Sequence, residues 1–142
     1  MDIQKVRQAF ELVRKAWQTS KALHEKANIC RQNAIGSAIR YDKDNVQTSP
    51  RDTQAEWLNE AADLDREAAQ VLAIAESARE STYQWMRAVC KENEQYVLLQ
   101  YYFAGKSYNA IKDEYIMMFD YGSKTTMYDV AQRGIRRIAE KL

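Results

Sequence analysis

The stretch Tyr96-Val-Leu-Leu-Gln-Tyr-Tyr-Phe-Ala-Gly-Lys-Ser-Tyr-Asn-Ala-Ile111, taken with Ser123-Lys-Thr-Thr-Met-Tyr-Asp-Val-Ala-Gln-Arg-Gly-Ile-Arg-Arg-Ile-Ala-Glu-Lys-Leu142, decides the fold, because it reads as a helix-turn-helix. An apolar helix runs to Phe103, Gly105 supplies the residue most tolerant of a left-handed C-cap, and Ser107 is a candidate N-cap for a second helix. That second helix carries Tyr108, Ile111, Tyr115 and Ile116 on one side. The pair Tyr121-Gly122 then interrupts the pattern. A third helix starts with Ser123 as its cap and runs to the C-terminus.

Unrolled at about 100° per residue, the third helix places Val130, Gly134, Met127, Ile138, Ala131, Leu142 and Ile135 within an arc of roughly 140°. That arc is its core face. The opposite arc holds Tyr128, Gln132, Thr125, Arg136, Asp129, Arg133 and Arg137, broken only by Ala139 and Glu140. Long, polar, hydrogen-bonding side chains on one helix face suit the major groove, where Arg, Gln, Asp and Thr read base edges or hold phosphates. A solvated face on an ordinary amphipathic helix has the same composition, so the helix alone leaves both readings open.

The order of apolar helix, Gly-Lys-Ser-Tyr, Ile, Ser-Lys-Thr-Thr-Met and a terminal helix rich in Arg and Ile resembles region 4 of sigma-70-type factors. It is similar in particular to the sigma-like regulators of Gram-positive phages and prophages, the ArpU and RinA kind. Leu98 to Gly105 matches the first helix and its glycine turn, and Ser107 and Ile111 match the positioning helix. Ser123, Thr126 and Met127 match the start of the recognition helix, and Arg133 to Leu142 its basic, apolar-striped tail. The resemblance implies a sequence-specific regulator of transcription whose partner is double-stranded DNA, with host RNA polymerase and a second copy of the chain as further candidate partners. From their place on the polar arc, Thr125, Tyr128, Gln132, Arg133 and Arg136 are expected to contact DNA, with Lys124 near a phosphate and Arg137 positioning at the arc's edge, while Asp129 either accepts from a cytosine amino group or repels phosphate. The sequence departs from the family in one respect. Twelve positions separate Ile111 from Ser123, about five more than the pattern uses, and a longer turn would tilt the recognition helix.

Composition sets the frame around this motif. One proline and four glycines in 142 residues leave few breakers, which predicts an all-α protein. The 21 basic and 20 acidic residues exclude a polybasic tail. Residues 94–142 hold seven Lys or Arg against six Asp or Glu, so non-specific affinity for DNA is expected to be weak. The N-terminal Met1-Asp2-Ile3-Gln4 lacks the pattern of a signal peptide and no segment approaches a membrane span, which predicts a cytoplasmic protein with no membrane partner. Cys30 and Cys90 have no ligand-spaced neighbours. They read as reduced thiols, and no metal or cofactor is expected.

Upstream, Ile3, Val6, Phe10, Val13 and Trp17 form a heptad seam that weakens through Ser20 or Leu23, Ala27, Cys30 and Ala34. Gly36 and the polar run Tyr41 to Thr48 are expected to end that helix. Ser49-Pro50-Arg51-Asp52 offers a cap, a proline at the first helical position and an early acid for the next one. From Thr53 to about Lys91 a plainer heptad follows, with Trp57, Leu64, Val71, Ala78 and Trp85 at one position and Ala61, Ala68, Ala75, Thr82 and Val89 at the other. Residues 1–52 carry ten basic and six acidic side chains, and 53–93 carry four and eight. Opposite fields favour folding the two helices back on each other. The predicted architecture is therefore a long antiparallel helical hairpin over residues 1–93 followed by a region 4-like helix-turn-helix over 94–142. Val46-Gln47-Thr48-Ser49-Pro50 also looks like the loop that precedes region 4 in the phage regulators.

Catalysis is not expected. No phosphate-binding loop, dinucleotide fingerprint or nucleophile elbow is present. Glu60, Asp63, Asp65 and Glu67 read as a solvated face, and His24 as a surface histidine without a catalytic partner. Tyr96, Tyr101, Tyr102, Phe103, Tyr108 and Tyr115 fall mostly at core spacing, with Tyr128 the exposed exception. The rival reading is a protein-binding inhibitor or adaptor that works through the hairpin, favoured by the near-neutral C-terminal charge. A packaging subunit would place its DNA-binding motif first, whereas here it comes last.

Overall fold

The computed structural model of the chain describes the backbone of residues 1–44, 50–119 and 124–142, and the side chains of residues 1–36, 53–119 and 126–142. Among the described residues the fold is all-helical. The elements are α1 (Ile3–Asp44), α2 (Pro50–Val89), α3 (Glu92–Leu98) continuing into a π-helical turn (Leu99–Phe103), α4 (Tyr108–Phe119) and α5 (Lys124–Lys141). None of the described helices is long and apolar enough to cross a membrane. The helix α2 starts at Pro50, as proline's fixed φ and missing N–H favour. Its expected cap Ser49 and the rest of the loop from Val46, like Tyr121, Gly122 and the cap Ser123, lie outside the described residues.

One expectation is corrected in α1. Gly36 does not end the helix, which continues to Asp44. A glycine costs roughly 1 kcal/mol against alanine inside a helix, too little to stop a helix of this length by itself.

The chain divides into two compact units, Met1–Gln18 with Ile74–Leu142, and Thr19–Ala73. In the second unit Ala27, Cys30 and Ala61 are buried together, with Trp57 and Leu64 packed on them. The fully enclosed positions there are small, since Ser20, Ala27, Ala34, Ala61 and Ala68 are all buried, so the helices meet on small side chains while the larger Trp57 and Leu64 flank the contact. His24 Nδ1 lies 2.8 Å from Asp65 Oδ1, and Arg31 also donates to Asp65. His24 stays at the surface, as expected, while Asp65, read as part of a solvated face, is only partly exposed and accepts across the helix pair.

In the first unit one core is shared by five segments. Val6 and Phe10 of α1, Met86 of α2, Leu98 of α3, Ile111 and Tyr115 of α4, and Met127, Ile135 and Ile138 of α5 are all completely buried. Each such side chain contributes roughly 1.5 to 3 kcal/mol of transfer free energy. The three C-terminal helices thus close over the first turns of α1 and the end of α2, and the expected boundary at residue 93 falls inside this unit. On α4, Ile111 and Tyr115 face the core as predicted, but Ile116 is partly exposed. It sits about 100° round the helix from Tyr115. Both cysteines are buried and free.

Candidate nucleic-acid interface

The short helix α3 is built to hold α5. Its first turn is closed by the Lys91 N–H, which donates to Glu94 Oε1 at 2.9 Å. Glu94 is only 2 % exposed, and a buried carboxylate demands compensation. Arg137 of α5 supplies it with two bonds, Nε to Oε1 at 2.9 Å and a terminal NH2 to Oε2 at 3.2 Å. Burial pushes the Glu94 carboxyl up, but the Arg137 and Lys91 donors outweigh it and hold the group below its ordinary value. One turn of α5 earlier, Gly134 lets the two helices close: a Cβ there would lie 2.8 Å from Leu98 Cδ1 and 3.4 Å from Glu94 Cβ. The Cys90 thiol donates to the Gly134 carbonyl at 3.5 Å, and burial, with Glu94 beside it, pushes its pKa up to about 12. Such a thiol stays protonated and unreactive.

The turn between the π-helical segment and α4 is fixed from α1. Gly105 has φ +71°, the left-handed conformation expected of it. Arg14 of α1 donates to the carbonyls of Tyr101 and, at 3.1 Å, Lys106, and its guanidinium lies 3.8 Å from the centre of the Tyr101 ring. The Ser107 hydroxyl accepts from the Ala110 N–H at 3.2 Å, which is the cap predicted for α4. The widened turn sends three successive rings to different partners. Tyr102 meets Phe10, Tyr101 stacks on Tyr108 at 3.9 Å, and Phe103 leans on Tyr83. Burial raises the Tyr102 hydroxyl to about 12 and pushes that of Tyr108 up as well, so both remain neutral donors in the packed cluster.

The candidate DNA-facing residues on α5 separate into groups. Lys124 and Thr125 lie in its first turn, with side chains outside those described. Tyr128 is half-exposed and touches Tyr108 edge-on at 5.9 Å between ring centres. Asp129, Arg133 and Arg136 are exposed, and none of the three has an ion-pair partner among the described residues. Arg133, Arg136, Arg137 and Glu140 line one shallow surface recess. Gln132 corrects the sequence reading. It is buried, one turn on from Tyr128, whose ring touches Tyr108 of α4. Arg137, expected to position at the edge of the DNA-facing arc, is instead turned to Glu94.

Sequence reasoning missed Glu94 and Arg14. The spacing Lys91 to Glu94 gave a usable signal for the first, since an acid three residues after a helix N-cap fits half of a capping box. Nothing in the α1 heptad marked Arg14 as the side chain that grips the turn. No family model, curated protein or solved structure matches the chain.

Proposed function

We propose that the chain is a non-catalytic, sequence-specific DNA-binding regulator of phage or prophage transcription. In this reading α1 and α2 form an antiparallel hairpin, and α3, α4 and α5 form a region 4-like helix-turn-helix in which α4 positions and α5 reads. The contacts of His24 with Asp65, and of Ala27 and Cys30 with Ala61 and Trp57, run in the antiparallel sense and support the hairpin. The left-handed turn at Gly105 and the Ser107 cap support the helix-turn-helix.

The observation that carries the reading is the division of labour along α5. Val130, Ile135 and Ile138 are fully enclosed, Arg137 is engaged with Glu94, and Arg133 and Arg136 stand exposed on the opposite side without an ionic partner among the described residues. Two such guanidiniums, spaced three residues apart, suit bidentate base contacts or phosphates. Gln132 is no longer part of the surface offered to DNA. The test is a binding titration against the promoter regions of the parent genome at two salt concentrations. Arg133→Ala and Arg136→Ala should each weaken binding to the cognate site by roughly 1 to 3 kcal/mol, and Gln132→Ala should leave the free energy per base contact unchanged. Equal binding by wild type and the double arginine variant, or no binding by either, would favour the rival protein-binding reading. That rival draws on Ile29 and Leu58, exposed apolar side chains of the second unit.

A further inference from the structure

Within the first unit, α2 and the π-helical turn enclose an open groove lined by Glu76, Arg79, Glu80, Tyr83, Leu99 and Phe103. Its floor is aromatic. Tyr83 and Phe103 lie 6.3 Å apart between ring centres, with the Arg79 guanidinium 5.8 Å from the Phe103 centre and that of Arg87 5.9 Å from the centre of Tyr83. Tyr83 is 44 % exposed. Glu76, Glu80 and Arg87 are exposed too, and no ion pair among the described residues uses them.

The positions of these side chains along α2 are self-complementary. Glu76, Glu80, Tyr83 and Arg87 follow one another at steps of four, three and four residues, so they share a face within about 60° of arc. The steps are symmetric about a point between Ser81 and Thr82. A two-fold axis through that point, perpendicular to the helix, sets residue 76 against 87 and residue 80 against 83 of an antiparallel copy. The acidic end of each stripe then meets the basic end of the other, and each Tyr83 hydroxyl reaches a Glu80 carboxylate. This is the pattern an isologous interface requires, where one patch must complement itself. Within a single helix Glu76 and Arg87 are about 16 Å apart along the axis, too far to satisfy each other.

We propose that this face of α2, with the groove beside it, is a homodimer interface, and that its occupant is the same face of a second copy of the chain. Each Tyr83 ring lies over the partner's groove beside Phe103, and two Glu76 to Arg87 ion pairs close the ends. The contact is short and largely polar, so the dimer belongs to the weak class, with dissociation in the range of roughly micromolar to a hundred micromolar. It stands apart from the DNA reading, since it forms and is measured without DNA.

Sedimentation velocity on the full chain, from roughly 5 to 500 μM at low salt, tests it. The expected result is a monomer–dimer equilibrium that weakens as salt is raised. Glu76→Arg and Arg87→Glu each set like charges face to face at both symmetric pairs, and each should raise the dissociation constant about tenfold or more. The double variant Glu76→Arg, Arg87→Glu restores both pairs with reversed polarity and should return the constant to within about threefold of wild type. Thermal melts verify that each variant is folded, and Glu76→Gln with Arg87→Gln read the same pairs if a reversal is not tolerated. A chain that stays monomeric over the whole range, a dimer indifferent to the single reversals, or a double variant no better than either single one overturns the proposal.

Discussion

Replacing Gly105 by alanine tests how the turn before α4 is held, and two separate costs can be worked from the structure. At φ +71° a side chain carries the left-handed penalty of about 1 to 2 kcal/mol. The new Cβ would also lie 2.4 Å from Cε3 and Cζ3 of Trp17, a contact that real atoms do not make. Trp17 lies on α1 one turn beyond Arg14, whose bonds to the Tyr101 and Lys106 carbonyls keep the turn from backing away. The ring must therefore move, and overpacking of this kind costs about 1 to 3 kcal/mol. The total expected is about 2 to 5 kcal/mol, read from urea denaturation followed by circular dichroism. In a Trp17→Ala background the clash vanishes and only the backbone penalty of about 1 to 2 kcal/mol should remain. Equal costs in the two backgrounds would refute the claim that Trp17 sits on this turn. A cost near zero in both would refute the left-handed conformation as well.

Glu94→Gln removes the charge that Arg137 answers and should destabilise by about 1 to 3 kcal/mol at neutral pH, measured by the same denaturation series. Because the folded Glu94 carboxyl is held below its ordinary value of 4.5, the pair's contribution is present above that value and is lost as pH falls through the lower folded one. The wild-type and Glu94→Gln stability curves should accordingly converge in acid. Cys90 behaves in the opposite sense: its pKa is raised from 9.0 to about 12, so its contribution is full below pH 9 and is lost as pH rises between those two values. Against a Cys90→Ala reference, wild type should lose stability over that alkaline window, and parallel curves there would contradict the burial of the thiol.

Local chemistry was readable where a residue type dictates a backbone state. Gly105 adopts the left-handed turn, Ser107 caps α4, and Pro50 opens α2, each for a reason that involves only a few neighbouring residues. The heptads likewise marked which faces of α1 and α2 are apolar, but not which half of each seam would be sealed. In α2 the alanine positions are fully enclosed while Trp57 and Leu64 lie at the flank, because the spacing of two helices is a tertiary quantity. Gly36 misled for a related reason. A breaker's local penalty was weighed without the rest of a long helix on either side of it.

The same distinction explains what happened at the candidate site. Periodicity assigns each residue of α5 an angle, yet the width of the buried arc depends on how many helices pack against it. One neighbour would leave both edges of the polar arc open. Here α3 covers one edge, where Arg137 meets Glu94, and at the other edge Gln132 is buried as well. Apart from Tyr128, which stays half-exposed, and the last two residues, the exposed side chains among those described on α5 are Arg136, Asp129, Glu140 and Arg133, a strip of about 60°. Two arginines flanked by two acids give little net attraction for phosphate and cannot support strong non-specific binding. If this strip meets DNA, discrimination must come from where the two guanidiniums are held. The Glu94 to Arg137 clamp and the close approach at Gly134 are what fix that position, so residues that never touch DNA would govern its recognition.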